Sequence, residues 1–484
     1  MADTWDVVVV GGGPPGENAA QSAIEGSART AVIVEEDLLG GECSYWACMP
    51  SKALLRPLEA LDAVRSLRGV YGGLDVVRVL DRRDDFTHHH DDSSQVDWAG
   101  SEGIDVVRGH GRLAGERTVE VTVAGGGRRT LAARHAVVLA TGSEASIPPV
   151  AGLSEARPWT SRDVTNLGEI PRRVLVVGGG VVACEATTWL CGLGAEEVTV
   201  VEVGERLLQR NEPFAGEIVA DHLRSRGVRV LTGTSLERVD RPGTADTGVG
   251  RIHGAPATVT LAGGEQVEVD EIVVAAGRSP RTADLGLDSV GLDLDRSHGY
   301  VPVDEHLTVP GVPGDWLYAV GDVNGRALLT HMGKYQARIA GAVIGARAEG
   351  WPLSGTSNLD MADEAAVPAV VFGDPQVASV GLTESRARER GVDVMTVEYD
   401  LGAVAGAALA RDGYQGRAKL VIDRAAGVVV GATLVGSDVA ELLHSATIAV
   451  IAKVPLDLLW HAVPSYPTIS EVWLRLLEAW RSAR

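Results

Sequence analysis

The sequence is short of three things, and each shortage excludes a class of protein. Only four cysteines occur among 484 residues, which excludes a secreted disulfide framework and favours a reducing compartment. No apolar run approaches the ~20 residues of a membrane span, and residues 1–13 lack a basic stretch followed by a long apolar core. The 44 basic residues are outnumbered by 65 acidic ones, which argues against nucleic acid or an anionic membrane as the main partner. These absences predict a cytoplasmic protein.

What the chain does contain begins with a dinucleotide motif near the amino end. Residues 5–10 have strand character, and a glycine-rich turn and a helix-like stretch follow them. The next apolar run, 31–34, ends at Glu35, where an acid can hydrogen-bond a ribose 2′-hydroxyl. Three glycines have the GxGxxG spacing that lets a backbone approach a pyrophosphate: Gly11, Gly13 and Gly16.

The same pattern recurs between residues 173 and 202. The interval from Gly178 to Glu202 equals that from Gly11 to Glu35. The second fingerprint is the small-residue variant, with Gly178, Gly180 and Ala183. Two such folds in one chain predict two bound dinucleotides.

Between the two folds, residues 40–52 read GGECSYWACMPSK. Cys43 and Cys48 do not have the spacing of a structural zinc knuckle. Pro50 cannot donate to the carbonyl of Trp46, so a helix starting near Cys43 must be distorted, and the distortion can bring the cysteines together. Lys52 follows Cys48 at helical spacing, where an ammonium and a helix N-terminus favour a thiolate. The alternative is a pair of inert, buried cysteines.

This stretch resembles the redox-active segment of the flavoprotein disulfide reductases, such as lipoamide dehydrogenase, glutathione reductase and mercuric reductase. The resemblance implies a redox-active disulfide in which Cys43 meets substrate and Cys48 lies against the flavin. It also implies FAD in the first dinucleotide fold and a nicotinamide nucleotide in the second, with Glu185 paired to Lys52 near flavin N5.

Further segments resemble cofactor-binding elements of that family. LYAVGD implies that Asp322 binds the ribityl chain, and the helix from about Thr330 would point its N-terminus at the flavin. Residues Gly277 to Pro280 resemble the segment that closes the nicotinamide domain. Besides the two fingerprints, their acids and Lys52, the cofactor-binding residues implied are Gly41, Gly111, Ala140, Thr141, Gly142, Gly277, Arg278, Asp322, Leu329 and His331.

The resemblance covers nearly the whole chain and implies an α/β fold class. Two Rossmann-like domains would bind FAD and NAD(P), and a C-terminal α+β domain would make a homodimer in which each subunit completes its partner's active site. The expected boundaries are 1–155 and 286–355 for the FAD domain, 156–285 for the NAD(P) domain and 359–484 for the interface domain.

The C-terminal motif departs from the family. Typical members have His-Pro-Thr, two further residues and Glu, whereas this chain has Tyr466 in the place of the acid/base histidine and Glu471 in the place of the acid. Imidazole shuttles protons near neutral pH, but an unperturbed phenol titrates near ~10 and acts mainly as a hydrogen-bond donor. We therefore do not expect efficient lipoamide or glutathione chemistry. Tyr466, oriented by Glu471, is expected to come from the other subunit and to shape the acceptor site.

Three readings of function follow. The first is an NAD(P)H-dependent flavoprotein oxidoreductase whose Cys43–Cys48 disulfide passes electrons to a small acceptor. The second is a transhydrogenase or a quinone or dye reductase that uses flavin alone, because Trp46 and the Tyr-Pro-Thr motif also resemble soluble pyridine nucleotide transhydrogenases, which lack the second cysteine. The third is a flavoprotein subunit of an assembly with negligible turnover.

The remaining candidates are weaker. Glu202 favours NAD(H) over NADP(H), since a carboxylate repels a 2′-phosphate, although Arg206 and Arg210 nearby could offset the repulsion. Residues 80–97 read as a polar, irregular loop, and the side chains of His88 to His90 within it would diverge, so no metal site is predicted. Cys184 and Cys191 are expected to pack on one helix face. Because Cys191 is the last cysteine, the C-terminal redox pair of mercuric reductases and large thioredoxin reductases is missing.

Overall fold

A computed structural model describes residues 2–362 and 366–483, and these form two compact units. The first unit is drawn from residues 2–49, 84–144 and 278–362. The second unit is drawn from residues 50–83, 145–277 and 366–483. The chain therefore passes between the units several times, as expected when one nucleotide-binding domain is inserted into another.

The first unit is built on a seven-stranded sheet with the buried strand Asp3–Val10 near its centre. Parallel strands buried on both faces are rich in valine and isoleucine, as they are here. In spatial order the strands are Ile104–Arg108, Ala31–Glu35, Asp3–Val10, Arg128–Leu139, Thr118–Thr122 and His110–Leu113, with Leu317–Ala319 also pairing with Arg128–Leu139. The predicted succession of strand, glycine turn, helix, strand and acid is confirmed.

Helices cover this sheet. The helix Pro14–Ile24 begins with two prolines, whose missing amide hydrogens a first helical turn does not need. It packs closely on the helix Thr330–Ala348, because Gly341 leaves room for Ser22. The other helices that lie wholly in this unit are Gly41–Tyr45 and Ser93–Ser101.

The second unit contains three sheets. A four-stranded parallel sheet has the order Arg229–Thr232, Glu197–Glu202, Arg173–Val177 and Glu271–Val274. A three-stranded antiparallel sheet has the order Leu236–Asp240, Ala257–Leu261 and Gln266–Val269. A five-stranded antiparallel sheet has the order Pro368–Val371, Gln376–Gly381, Val428–Gly436, Arg417–Asp423 and Val394–Asp400. The short strands Ser143–Ala145 and Arg278–Pro280, which lie almost wholly in the first unit, pair with each other.

The helices of the second unit lie around these sheets. Val181–Leu193 follows the second fingerprint, and its residue Trp189 is almost fully buried. The other helices are Ser161–Thr165, Pro213–Ser225, Glu384–Glu389, Ala405–Ala410, Leu443–Ile451, Leu456–Leu459 and Val472–Ser482. Two further helices, Cys48–Ser66 and Val76–Phe86, lie mostly in this unit. Within the described residues, no helix is both long and apolar enough to span a bilayer.

The predicted loop at residues 80–97 is wrong. The helix Val76–Phe86 covers its first part, because Val79 packs into the core and Arg83 is buried. Arg83 donates to the backbone carbonyls of Thr165 and Leu167, so a charged residue lies on the inner face and breaks the apolar pattern. Val76, Val79 and Leu80 nevertheless pack on the core at the i, i+3, i+4 spacing of an amphipathic helix, so the sequence did carry a helical signal that the prediction missed.

Candidate flavin and nicotinamide sites

The first fingerprint forms a cradle in which backbone lies against backbone. A Cβ at Gly16 would lie 2.0 Å from the carbonyl oxygen of Gly11, so no larger residue fits there. Gly11 in turn lies against the carbonyl of Ala140, and Gly41 lies against Gly13. The helix Pro14–Ile24 starts at this point, so its amide groups and dipole face the cradle. This is the form that binds a pyrophosphate, and it fits the FAD that the sequence predicts.

Glu35 stands at the end of its strand, beside the cradle. Its Oε2 accepts from the amide of Gly12 at 2.6 Å, and its Oε1 accepts from the amide of Asp37 at 2.8 Å. Burial raises the pKa of Glu35, while these two amides oppose the change. These two hydrogen bonds fix the carboxylate at the end of its strand, and its role in binding a ribose stays a prediction. Gly111 lets its strand pass close over Val34, next to Glu35.

Asp322 is the last of three hydrogen-bonded side chains, an arrangement that the sequence did not predict. Ser143 Oγ donates to Asp322 Oδ2 at 2.5 Å, and Arg278 Nε donates to Ser143 Oγ at 2.7 Å. Burial raises the pKa of Asp322, against the effect of Ser143 and Arg278. Arg278 thus holds the predicted flavin aspartate in place through Ser143. Ser143 directly follows the Ala140–Gly142 element, and sequence reasoning did not single it out.

The two predicted redox cysteines lie at a helix break. The helix Gly41–Tyr45 ends at Trp46, and a new helix, Cys48–Ser66, begins at the second cysteine. The predicted distortion near Pro50 is therefore confirmed. Cys43 and Cys48 are both partly buried. Cys48 Sγ is 3.3 Å from the hydroxyl of Thr330, the first residue of Thr330–Ala348, so the sulfur lies at a helix N-terminus that favours negative charge.

The second fingerprint repeats the cradle. Gly178 has a φ of +113°, and a Cβ there would lie 2.4 Å from the carbonyl of Ala275. Glu202 Oε1 accepts from the amide of Gly204 at 2.7 Å and from Gln209 Nε2 at 3.0 Å. Arg206 donates to the backbone carbonyl of Gln209 at 3.0 Å, so its guanidinium is engaged with the backbone.

Lys52 and Glu185 form the ion pair that the sequence predicts. Lys52 Nζ lies 2.8 Å from Glu185 Oε2, and the ammonium lies 4.8 Å from the ring centroid of Phe372. The amide of Phe372 donates to Glu185 Oε1 at 2.9 Å. The side chain of Glu185 is 5% exposed, whereas that of Lys52 is 37% exposed. Phe372 is a second residue that sequence reasoning missed, since no local signal marks it.

The two predicted residues of the C-terminal motif differ in their burial. Tyr466 is 76% exposed, and no hydrogen bond joins it to Glu471 in the described chain. Glu471 is buried and instead accepts from Arg475 Nη2 at 2.5 Å, one helical turn onward. The Oε2 atom of Glu471 is buried and has no hydrogen-bond partner in the described chain, so its orienting role toward Tyr466 stays a prediction. Arg475 at the i+4 position was visible in the sequence and could have indicated this pair.

The other predicted residues have these positions. Leu329 precedes the helix Thr330–Ala348, and His331 is its second residue. Gly180 precedes the helix Val181–Leu193, in which Ala183 is fully buried. Thr141 Oγ1 donates to the carbonyl of Arg281, the residue whose amide donates to Gly142. Gly277 has a positive φ at the end of its segment.

Two cysteines and three histidines that the sequence analysis set aside differ in their positions, because one of the histidines contacts the redox segment. Burial raises the pKa of Cys184 to about 12 and that of Cys191 to about 11, as befits packing residues. His88 to His90 form a turn between two helices, and the ring of His90 stacks on Trp46 at 4.3 Å. Across residues 2–362 and 366–483, no three metal-ligating side chains gather into a site.

Two Rossmann-like cradles, one next to a cysteine pair, define a flavoprotein that also uses a nicotinamide nucleotide. Residues 5–343 match the model of the pyridine nucleotide-disulphide oxidoreductases, and residues 367–476 match the dimerisation domain of the same family. The chain belongs to this family, whose members are NAD(P)H-dependent flavoproteins that bind FAD. Its dimerisation domain supports a homodimer.

Relatives span the whole chain. It is 32% identical to a dihydrolipoyl dehydrogenase of Chlorobaculum tepidum over 97% of this chain and 96% of that protein. It is 30% identical to a mercuric reductase of Lysinibacillus sphaericus over 97% of this chain and 81% of that protein. The solved structure of LpdA from Mycobacterium tuberculosis superposes with a TM-score of 0.82 at 26% identity, covering 100% of both chains. The predicted family and fold class are confirmed.

Proposed function

We propose that this protein transfers electrons from NAD(P)H, with NADH preferred, to a small acceptor through a redox-active Cys43–Cys48 disulfide. The first cradle and Asp322 would hold FAD, which would supply two-electron redox chemistry between the nicotinamide and the disulfide. Those electrons break the sulfur–sulfur bond and leave two sulfurs that take up protons or stay as thiolates. The observation that carries the proposal is the 3.3 Å contact of Cys48 with Thr330 at a helix N-terminus.

Each named residue has a physical role in this proposal. Cys48, at the helix end, is the sulfur held as a thiolate against the flavin, and Cys43 is the sulfur that meets the acceptor. Lys52 holds a positive charge near the hydride-accepting atom, and Glu185 fixes its position. Asp322, held by Ser143 and Arg278, binds the ribityl chain.

Tyr466 serves the partner subunit in this proposal. Its high exposure leaves its ring available to line a site across the dimer. Because Tyr466 replaces the histidine and Glu471 Oε1 accepts from Arg475, the usual histidine–glutamate acid/base pair is missing from the described C-terminal motif. Tyr466 therefore shapes the acceptor site and donates a hydrogen bond there, and the proton comes from another source, such as water.

Anaerobic titration of the purified protein with NADH tests the proposal. A flavin and a disulfide together take up about two NADH per subunit, whereas a flavin alone takes up about one, since each couple carries two electrons. We expect about two, with long-wavelength absorption appearing after the first. Uptake of one NADH with no such absorption would contradict a redox-active disulfide, and a flavin that NADH does not bleach would favour the non-enzymatic reading.

A substitution at Glu202 tests the nucleotide preference. Glu202→Gln removes the charge that repels a 2′-phosphate, and the amide can still accept from Gly204. We expect the ratio of kcat/KM for NADH to that for NADPH to fall by about tenfold, mostly through a lower KM for NADPH. Steady-state kinetics with both nucleotides measures this. Glu205→Gln, which removes the same charge three residues away, is the matched control, and equal effects of both substitutions would exclude a specific role for Glu202.

The substitution Tyr466→His tests whether the lack of a histidine proton shuttle limits turnover of disulfide acceptors. General acid/base catalysis contributes roughly a hundredfold or more, so Tyr466→His is expected to raise turnover of a disulfide acceptor such as lipoamide. The gain should be larger in Tyr466→His with Arg475→Ala, which releases Glu471 to orient the new imidazole. Turnover across pH measures it, and Arg475→Ala alone is the control. No gain in either variant would mean that proton transfer does not limit this reaction.

The second candidate, direct reduction of a quinone by the flavin, is favoured by the Arg475–Glu471 pair, because quinone reduction needs no acid/base dyad at the dimer interface. In that case the Cys43→Ser, Cys48→Ser double variant keeps its NADH-dependent quinone turnover while losing disulfide turnover.

A further inference from the structure

Gln209 holds the acid of the second nucleotide fold by one of its two oxygens. Its Nε2 donates to Glu202 Oε1 at 3.0 Å, and the amide of Gly204 donates to the same oxygen at 2.7 Å. The other oxygen, Oε2, receives no hydrogen bond within residues 2–362 and 366–483. It lies beside the second fingerprint, since a Cβ built on Gly179 would be 2.8 Å from it. The protein thus occupies one oxygen and leaves the other open to a ligand.

The acid of the first fold is held differently. Glu35 accepts from two backbone amides, that of Gly12 on Oε2 and that of Asp37 on Oε1. Gly204 lies two residues after Glu202, as Asp37 lies two residues after Glu35, so this donor is common to both folds. The second donor to Glu202 is a side chain seven residues along the chain. A single substitution can therefore remove this donor without changing the backbone.

The chain before Gln209 makes a strained turn that brings its side chain back to Glu202. Leu208 has a φ of +50°, a left-handed conformation that a leucine seldom adopts. Leu208 is buried, and its amide donates to the carbonyl of Gly179 at 2.8 Å. Arg206 Nη2 donates to the carbonyl of Gln209 at 3.0 Å and fixes the other side of the turn. Packing and hydrogen bonds on both sides thus maintain a turn that the backbone by itself disfavours.

Gly204 leaves room for the Gln209 amide. A Cβ at this position would lie 1.5 Å from Gln209 Nε2, so a side chain here would displace the glutamine. The φ of Gly204 is outside the left-handed region, and its backbone conformation therefore does not require glycine. The space that Gln209 fills gives this glycine a physical reason.

We propose that Gln209 is a positioning residue for nucleotide recognition in the second fold. Its hydrogen bond keeps the Glu202 carboxylate turned so that Oε2 can accept from the 2′-hydroxyl of an adenosine ribose. The same bond prevents the carboxylate from swinging aside to admit a 2′-phosphate. The inference rests on the proposed binding of NAD(P)H, and it assigns part of the preference for NADH to a residue that does not itself touch the nucleotide.

The test uses ADP-ribose and 2′-phospho-ADP-ribose, which carry the adenosine half of each nucleotide and transfer no hydride. Their dissociation constants are measured by calorimetry on the FAD-loaded protein. Gln209→Met keeps an unbranched side chain of similar length and removes the donor. We expect the dissociation constant of ADP-ribose to rise roughly threefold to tenfold, the range for one lost hydrogen bond, and that of the phosphorylated probe not to rise. Gln266→Met, at another exposed glutamine of the same unit, is the matched control and should match the wild type.

A second background separates positioning from a general structural effect. In Glu202→Ala no carboxylate remains to be held, so adding Gln209→Met should change the binding of ADP-ribose by less than about twofold. With saturating NADH, Gln209→Met alone should raise KM and leave kcat at the wild-type level.

Equal effects of Gln209→Met with and without Glu202 would overturn the inference, as would equal weakening of both probes or no weakening beyond that of Gln266→Met. Wild-type protein that binds neither probe would instead overturn the proposed function. The two failures are therefore distinguishable.

Discussion

Replacing Cys48 with serine is expected to remove the long-wavelength thiolate-to-flavin absorption of the reduced protein and to lower turnover of a disulfide acceptor by at least about a thousandfold. The hydroxyl of serine does not ionise near neutral pH, so no sulfur anion remains at the N-terminus of Thr330–Ala348. Anaerobic absorption spectra and steady-state turnover with the same acceptor measure the two effects.

Cys43→Ser separates the roles of the two sulfurs. It should abolish disulfide turnover and keep the absorption, since Cys48 then stays as a thiolate. Cys191→Ser is the matched control: burial raises the pKa of Cys191 to about 11, so it is inert, and both readouts should stay at the wild-type level. Disulfide turnover that survives in Cys48→Ser would mean that the pair is not the electron carrier.

The second large effect is expected at the buried ion pair. Lys52→Met leaves the carboxylate of Glu185 buried with the amide of Phe372 as its remaining partner, which we expect to cost about 3 kcal/mol of unfolding free energy. Glu185→Gln should cost less, about 1 kcal/mol, because the side chain of Lys52 is 37% exposed and can reach water. Urea unfolding of the FAD-loaded protein measures both, and each variant should also slow flavin reduction by NADH.

Two further variants distinguish the cost of leaving a buried charge unpaired from the cost of losing any ion pair. The double variant Lys52→Met, Glu185→Gln removes both charges and should be more stable than Lys52→Met alone. Arg56→Met, on the same helix, breaks the exposed pair with Glu59, and it should cost less than about 1 kcal/mol. If Lys52→Met and Arg56→Met lower the free energy of unfolding by the same small amount, the buried carboxylate of Glu185 does not carry the expected desolvation cost.

A structural feature can be predicted from the sequence when the residues that cause it lie only a few positions apart. The fingerprint glycines, the strands that end at Glu35 and Glu202, and the helix break near Pro50 follow from local sterics and hydrogen bonding, and the structure has all of them. The helix Val76–Phe86 has a local signal in the helical spacing of Val76, Val79 and Leu80, but the partners of Arg83 are carbonyls some 80 residues away, which the sequence does not show.

The sequence by itself determined the two nucleotide folds, the cysteine pair and the altered C-terminal motif, because each depends on residues a few positions apart. Only the tertiary structure decided that Arg278 reaches Asp322 through Ser143, and that the Oε1 atom of Glu17 is buried with no hydrogen-bond partner in the described chain. The physical reason is that burial and the choice among competing partners are properties of the packed chain. A carboxylate has the same chemistry wherever it occurs, and its surroundings set its charge and its role.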